Sequence, residues 1–517
     1  MELIKNKITT TNLKASKYTQ FTIDDDFNVP DAKSDIDKII ASSGNVLLEN
    51  IETLDNKVRI SGVVVFKMLY QTVDGSVVLE NYEGDIPFEE AVNVDGIMAG
   101  DKVDVSCNLE DLYVTMINSR KFEVRGLIGL KLWACTQVSA EGATGIMNGS
   151  GIECLNQKLP FTNNIVSIKD IFKVREDVEI PAGKPNIGRL IWEQVTFNGI
   201  ETRTVDDGVH ISGKMELFAI YKPEEEMVPI QYVSSVKDFE GIISCDDVSE
   251  DMILDDTVTV GKGTVSVKPD ADGEDRVIQV EYNLNMDMKI YEDMELSVIS
   301  DMYSPSAEIE METEQFDYEN LLIRNNAKTK ITHKEQIKSS QPQILQIVHI
   351  SGSVDIDDVK LMEDAISVDG AVKAMVLYVS SDDSRPVGQL EAVIPFSYKV
   401  ESTPLSEQDS VRITPSLDQI SANMLGSDEV EIKAVINMSI TVFARKKVNL
   451  ITDINLAPID MEQKAAMPGI VGYVVKDGDS IWSIAKKYYS SLDSIRKIND
   501  LATDDIMPGD RLVIVKD

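Results

Sequence analysis

The chain has 517 residues, enough for several domains at roughly 100–200 residues each. Its net charge of −38, from 88 acidic and 50 basic residues, argues against nucleic acid or an anionic membrane surface as partner, since phosphates need Lys and Arg to displace their counterions. Apolar residues make up 43%, enough for packed cores, and no run approaches the ~20 apolar residues of a membrane helix.

The first ten residues, Met1 to Thr10, hold no apolar stretch followed by a small-residue cleavage site, so a secretory signal is not expected. Cys107, Cys135, Cys154 and Cys245 show no paired C-x-x-C spacing, which leaves them as small core residues in a reducing compartment. Neither a metal nor a cofactor is expected.

From Val58 onward one pattern recurs three times. Val58-Arg59-Ile60-Ser61-Gly62 leads to Tyr70, Val209-His210-Ile211-Ser212-Gly213 to Tyr221, and Ile366-Ser367-Val368-Asp369-Gly370 to Tyr378. The glycines lie 151 and 157 residues apart, and a phenylalanine follows each by 26: Phe88, Phe239 and Phe396. Residues of one parity are apolar through each stretch, as in Val58, Ile60, Val64, Phe66, Met68 and Tyr70, so each predicts a strand with one buried face. The glycine inside it predicts a bulge or a close backbone approach. Upstream, Ile36, Ile39 and Ile40, then Ile187, Leu190 and Ile191, then Ile344, Ile347 and Val348 are spaced i, i+3, i+4. Pro30, Pro185 and Pro342 precede them, and together these predict one short helix per copy. The expected fold is multidomain and mainly β, with three sandwich-like repeats at 1–155 (including an N-terminal extension), 156–312 and 313–451. Residues 452–472, with Ala457-Pro458 and Met467-Pro468-Gly469, read as a linker, either a free tether or a strap packed on the third repeat.

The segment 473–517 differs in kind. It carries seven basic and eight acidic residues, a charge of −1, which leaves −37 to the acidic remainder. That remainder is either a solvated surface or a face for a basic partner. Tyr473–Val475 reads as a strand and Lys476-Asp477-Gly478-Asp479 as a turn. Ser480 is an N-cap, and Ile481, Ile484, Ala485 and Tyr488 line one face of a helix. Leu492, Ile495 and Ile498 suggest a second helix, Pro508-Gly509 a break, and Leu512–Val515 a final strand. Ile481, Ile484, Ile495, Ile498 and Leu512 are the expected core.

No constellation for catalysis emerges. His210 lies on the polar parity of its strand, His333 and His349 lack an evident acid or Cys partner, and Gly261-Lys262-Gly263-Thr264 lacks phosphate-loop spacing and reads as a hairpin turn. The protein is not expected to be an enzyme.

The β-α-α-β order and the phrases Gly478-Asp479-Ser480-Ile481-Trp482, Ile498-Asn499 and Ile506-Met507-Pro508-Gly509-Asp510 resemble the LysM domain. Ile36-Asp37-Lys38-Ile39-Ile40, Ile60-Ser61-Gly62 and Ile86-Pro87-Phe88 resemble the SPOCS domain of spore-forming bacteria. The middle copy departs from it with Lys237-Asp238-Phe239. Tandem SPOCS domains closed by one LysM domain are similar to the clostridial SipL family of spore-coat morphogenetic proteins, which interact with SpoIVA. That resemblance implies a scaffold in the mother-cell cytosol at the forespore surface, with the LysM module docked on the coat ATPase and the repeats gathering other coat proteins. Many LysM modules bind peptidoglycan instead, which stays as the alternative. The LysM groove carries over to Gly478, Asp479, Ser480, Ile481 and Trp482 on one side and Leu501, Ile506, Met507 and Pro508 on the other. Within it, Ile481 is expected in the core, Ile506 and Met507 as exposed contacts, and Trp482 as either packing or contact.

Overall fold

The computed structural model describes residues 2–516 apart from 74–78, 148, 150, 226–228, 340, 383–384, 403, 407 and 460–467. Three successive units each contain six strands. The first runs β1 (Glu2–Asn28), β2 (Ile36–Leu54), β3 (Lys57–Thr72), β4 (Leu79–Asn93), β5 (Lys102–Asn118) and β6 (Lys121–Met147). Its strands form two antiparallel sheets, β1-β6-β5 and β2-β3-β4, whose inner faces share one apolar core. The second unit repeats this with β7 (Glu153–Glu179), β8 (Ile187–Val205), β9 (Gly208–Pro223), β10 (Gln231–Ser244), β11 (Ile253–Pro269) and β12 (Asp275–Tyr303). The third does so with β13 (Ala307–Gln336), β14 (Ile344–Leu361), β15 (Ala365–Ser380), β16 (Val387–Glu401), β17 (Ser410–Met424) and β18 (Glu429–Pro458). These are the expected sandwiches: the apolar parity of each central strand faces a layer about 10 Å thick.

The repeated glycine and phenylalanine are cross-strand partners: Gly62 faces Phe88, Gly213 faces Phe239 and Gly370 faces Phe396. Each ring lies across its glycine, so an added Cβ would sit 2.8, 2.8 and 2.9 Å from the three Cζ atoms. The neighbouring strand is bulged at this level, between Leu48 and Asn50, Asn198 and Glu201, and Ile356 and Asp358. At Gly370 a Cβ would also lie 2.3 Å from the Asp355 carbonyl, and at Gly62 2.5 Å from that of Leu47, whereas at Gly213 the nearest backbone atom is 3.4 Å away. A backbone cannot yield as a ring can. Gly370→Ala and Gly62→Ala are therefore expected to cost about 1–3 kcal/mol and Gly213→Ala distinctly less, an order that urea unfolding of the three variants checks.

The short helix predicted in each repeat does not form. Its residues open β2, β8 and β14. Two bulges interrupt the register there, between Ile36 and Lys38 and between Ile39 and Ala41, and both recur at Ile187/Arg189 and Leu190/Trp192 and at Ile344/Gln346 and Ile347/His349. A bulge inserts one extra residue, so a buried strand face steps by three instead of two and imitates helical spacing. The prolines sit in the turn before this strand. The conserved-offset tyrosines reach back to that turn: the Tyr70, Tyr221 and Tyr378 hydroxyls donate to the carbonyls of Ser34, Pro185 and Pro342 at 3.2, 3.0 and 3.3 Å. Gly261–Thr264 is not a hairpin turn either. It lies within β11 at a bulge between Val260 and Gly263, with the Tyr282 ring over Gly263.

The units meet about a pseudo-threefold axis. Leu69, Ile220 and Leu377, each seven residues after its repeat glycine, share one buried cluster with Ile40, Ile191 and Trp192. His349 stacks on Phe218 in the same region, with ring centroids 4.4 Å apart. Further along, Ile8, Leu159 and Phe316 join Val448 and Leu450 where the long ribbons β1–β6, β7–β12 and β13–β18 converge. Between these apolar layers stand Asp104, Asp255 and Arg412, again 151 and 157 residues apart and thus at one repeat position. Their register partners Trp133, Lys289 and Thr441 are equivalent too. Arg412 bonds Asp255 at 3.0 Å and Asp104 at 3.1 Å, its guanidinium lies over the Trp133 ring, Lys289 also bonds Asp104, and the Thr441 hydroxyl lies 3.3 Å from Asp255. Three like charges at one axial position would repel; a tandem chain can place two anions and one cation there. Arg189–Glu80 and Lys67–Glu193 further join the first two units.

After β18 the chain reaches a small module: β19 (Ile470–Val474), α1 (Ile481–Lys487), α2 (Leu492–Ile498) and β20 (Arg511–Val515), with β19 and β20 antiparallel. Of the segment read as a linker, 452–458 belongs to β18 and 470–472 to β19, while 460–467 lie outside the described residues.

Candidate binding site

The module is a β-α-α-β unit with Val475, Ile481, Ile484, Ala485, Ile495, Leu512 and Ile514 at its centre. Ile498, expected there, is 41% exposed. Steps of three residues lag a helical turn by about 60° each, so the third member of Leu492, Ile495 and Ile498 rotates off the inward face. Asn499 holds this end instead, its side chain donating to the Val513 carbonyl at 2.8 Å and accepting from the Val513 N–H.

The two expected walls of the groove are brought together. Val475 N–H donates to the Asp510 carbonyl and Gly509 N–H to the Val475 carbonyl, both at 2.9 Å, so the loop before β20 lies beside the turn after β19. In that turn Gly478 adopts φ +84°, a left-handed conformation that glycine accommodates without strain. The Asp479 carboxylate accepts from Lys476 N–H and from the Tyr473 hydroxyl, each at 2.8 Å. These bonds hold its pKa below the ordinary carboxylate range, the Lys476 N–H contributing most. Ser480 caps α1 through a reciprocal pair with Ser483. Gly478, Asp479 and Ser480 therefore shape the wall, and Ile481 is buried as core.

The opposite wall is braced by Arg496, whose guanidinium bonds both Asp504 carboxylate oxygens at 2.7 Å and Asp493 at 3.0 Å. Leu501 and Ile506 are half-buried against the module core. Met507 is 72% exposed, and Pro508 beside it is exposed as well. Met507 thus matches the expected exposed contact, whereas Ile506 is partly withdrawn.

Trp482 follows the packing reading, with a partner outside the module. It is buried, but its indole faces the second unit. Its Nε1–H donates to Asp301 Oδ2 at 2.8 Å, and its ring meets Tyr303 edge-on with centroids 4.9 Å apart. Lys486 bonds the other Asp301 oxygen at 2.6 Å, and the Tyr303 hydroxyl donates to the Ser490 carbonyl at 2.9 Å. Sequence reasoning missed Asp301 and Tyr303, because nothing local ties β12 to a helix some 180 residues later.

Elsewhere, a cavity of about 880 Å³ lies where the three units meet, bordered by Tyr18, Glu110, Lys131, Asp355, Lys373 and the Asp104–Asp255–Arg412 group. Several of its charged groups have partners: Glu110 accepts from Tyr18 and Gln20, and Lys373 pairs with Asp111 and Asp355. Of the histidines, His349 is buried and burial pushes its pKa down to about 4. His333 does have an acid neighbour, Glu335 at 2.9 Å on the same face of β13. The four thiols are free. Among the described residues no group of acids, cysteines and histidines could hold a metal, and no helix is long and apolar enough to cross a membrane.

Comparison with known families matches the SPOCS domain of SipL at residues 35–117, 186–268 and 343–425, and the LysM domain at 473–515. Each SPOCS match spans the second to the fifth strand of a unit. The first and sixth strands, which form the long axial ribbons, lie outside it. No curated protein and no solved structure matches the chain.

Proposed function

The chain has the SipL-like architecture of three SPOCS domains closed by a LysM domain, and from that premise we propose that it is a non-enzymatic assembly protein of the spore coat. In this reading the SPOCS units form a rigid scaffold at the forespore surface, on the mother-cell side. The LysM module docks on the SpoIVA-like coat ATPase, and the scaffold gathers other coat proteins. The observation that carries the preference for a protein partner is the composition of the open wall. The indole that could stack on a sugar ring is turned onto Asp301 and Tyr303, and the large apolar side chain left most exposed in the groove is Met507. Exposed thioether and ring carbons on a braced loop suit a protein contact, where a few buried apolar anchors supply most of the affinity.

Peptidoglycan is the second reading, favoured by the LysM fold itself. Met507→Glu separates the two. Met507 is 72% exposed and outside the module's apolar cluster, so the variant is expected to keep its fold by circular dichroism. Its affinity for the ATPase should fall by about 2 kcal/mol, roughly 30-fold, while Lys516→Glu at the far end leaves affinity unchanged. Full affinity in folded Met507→Glu would remove this loop from the interface.

A further inference from the structure

We propose that Asp301 and Tyr303 form an intramolecular clasp that occupies the Trp482 side of the LysM groove, so that a ligand engaging the indole must first displace the second SPOCS unit. This rests on the reading of the LysM groove as the binding site and adds how access to it is controlled.

Three observations carry it. First, the clasp is built from specific polar bonds. The Asp301 carboxylate divides its oxygens between the Trp482 Nε1–H and the Lys486 ammonium, and Tyr303 both packs on the indole and bonds the Ser490 carbonyl. Second, Asp301 stands at a register shift of β12, between Ile299 and Asp301. Bulges re-aim side chains. The matching ribbons carry the same irregularity, at Ile4/Lys5 in the β1–β6 pairing and at Glu312/Thr313 in the β13–β18 pairing. Third, the three equivalent places are not alike. Counting along the ribbons from Trp133, Lys289 and Thr441, the residues matching Asp301 are Gly145 and Asp453, and those matching Tyr303 are Met147 and Asn455. Only the second unit offers an acid and an aromatic two residues apart, and that is where the module is seated. Tyr303 is itself a member of the module's apolar cluster.

The test uses the full-length chain and the double variant Asp301→Gly/Tyr303→Met, which installs the residues that the first unit already holds at these positions. Hydrogen exchange over Trp482–Ser490 reads the clasp, and binding to the coat ATPase reads its consequence. The expected result is faster exchange over α1 with the SPOCS sheets unchanged, together with ATPase binding tightened at least about fivefold. Asp301→Asn, which still accepts from the indole but loses the Lys486 pair, should fall between. Unchanged exchange overturns the clasp. Faster exchange with equal or weaker ATPase binding overturns its inhibitory role and makes the interface an orienting one. Should neither protein bind the ATPase, the docking reading of the previous subsection has failed. Inhibition is then judged by co-sedimentation with purified peptidoglycan: tighter binding of the variant upholds it, and equal or absent binding overturns it.

Discussion

Replacing Arg412 by Met is expected to loosen the union of the three SPOCS units at a cost of about 3–5 kcal/mol. The side chains of Asp104, Asp255 and Arg412 are 20%, 8% and 18% exposed, so the two carboxylates have little water to turn to when the cation is removed. Lys289 still reaches Asp104, but Arg412 is the sole basic side chain bonded to Asp255 among the described residues. Methionine retains much of the packing over Trp133 and isolates the electrostatic loss. The expected readout is a lower urea midpoint. The double variant Asp255→Asn/Arg412→Met should recover part of it, because the unpaired charge is gone. The wild type carries a pH signature as well. Burial alone would raise the Asp104 pKa, but Lys289 and Arg412 together hold it below the ordinary value. A carboxyl depressed in the fold contributes stability above its unfolded pKa and loses it as pH falls through the folded one. Acid should thus destabilise the wild type over that interval, and the slope should flatten when Arg412 is absent.

Ile484→Asp should unfold the LysM module while leaving the SPOCS units intact. Ile484 is 2% exposed at the centre of a core shared by two helices and two strands. An unpaired carboxylate there costs several kcal/mol beyond the lost apolar contact. A domain of this size has only about 3–5 kcal/mol to lose. Limited proteolysis of the full chain should then remove the residues after Gly469 and spare the rest, and the Trp482 contact with Tyr303 should disappear with them. Persistence of the module in this variant would mean that docking on β12 supplies most of its stability.

Local chemistry made much of this architecture legible. Strict alternation around Gly62, Gly213 and Gly370 announced the central strands, and the fixed offset to Phe88, Phe239 and Phe396 proved to be a cross-strand pair. The LysM turn and caps were equally local, since Gly478 and Ser480 act within a few residues of themselves. What stayed hidden depends on partners distant in sequence. The triplets at Ile36, Ile187 and Ile344 imitated a helix because register bulges, set by the neighbouring strand, changed the period of burial. Ile498 looked apolar enough for the core, yet the drift of three-residue steps carried it out. The axial Asp104–Asp255–Arg412 group shares the repeat intervals, but the repeat pattern rests on residues that agree between copies, and these differ. The seat of Trp482 on Asp301 and Tyr303 left no trace near either end of the contact.

Under the proposed function, this scaffold presents its LysM module to a protein of the coat and not to a glycan. Equilibrium binding of the full-length chain to purified SpoIVA-like ATPase and to purified peptidoglycan, measured side by side at the same salt, tests it most directly. Saturable binding to the ATPase that Met507→Glu weakens is the expected result, with no retention on peptidoglycan. Saturable binding to peptidoglycan by a chain that ignores the ATPase would contradict it.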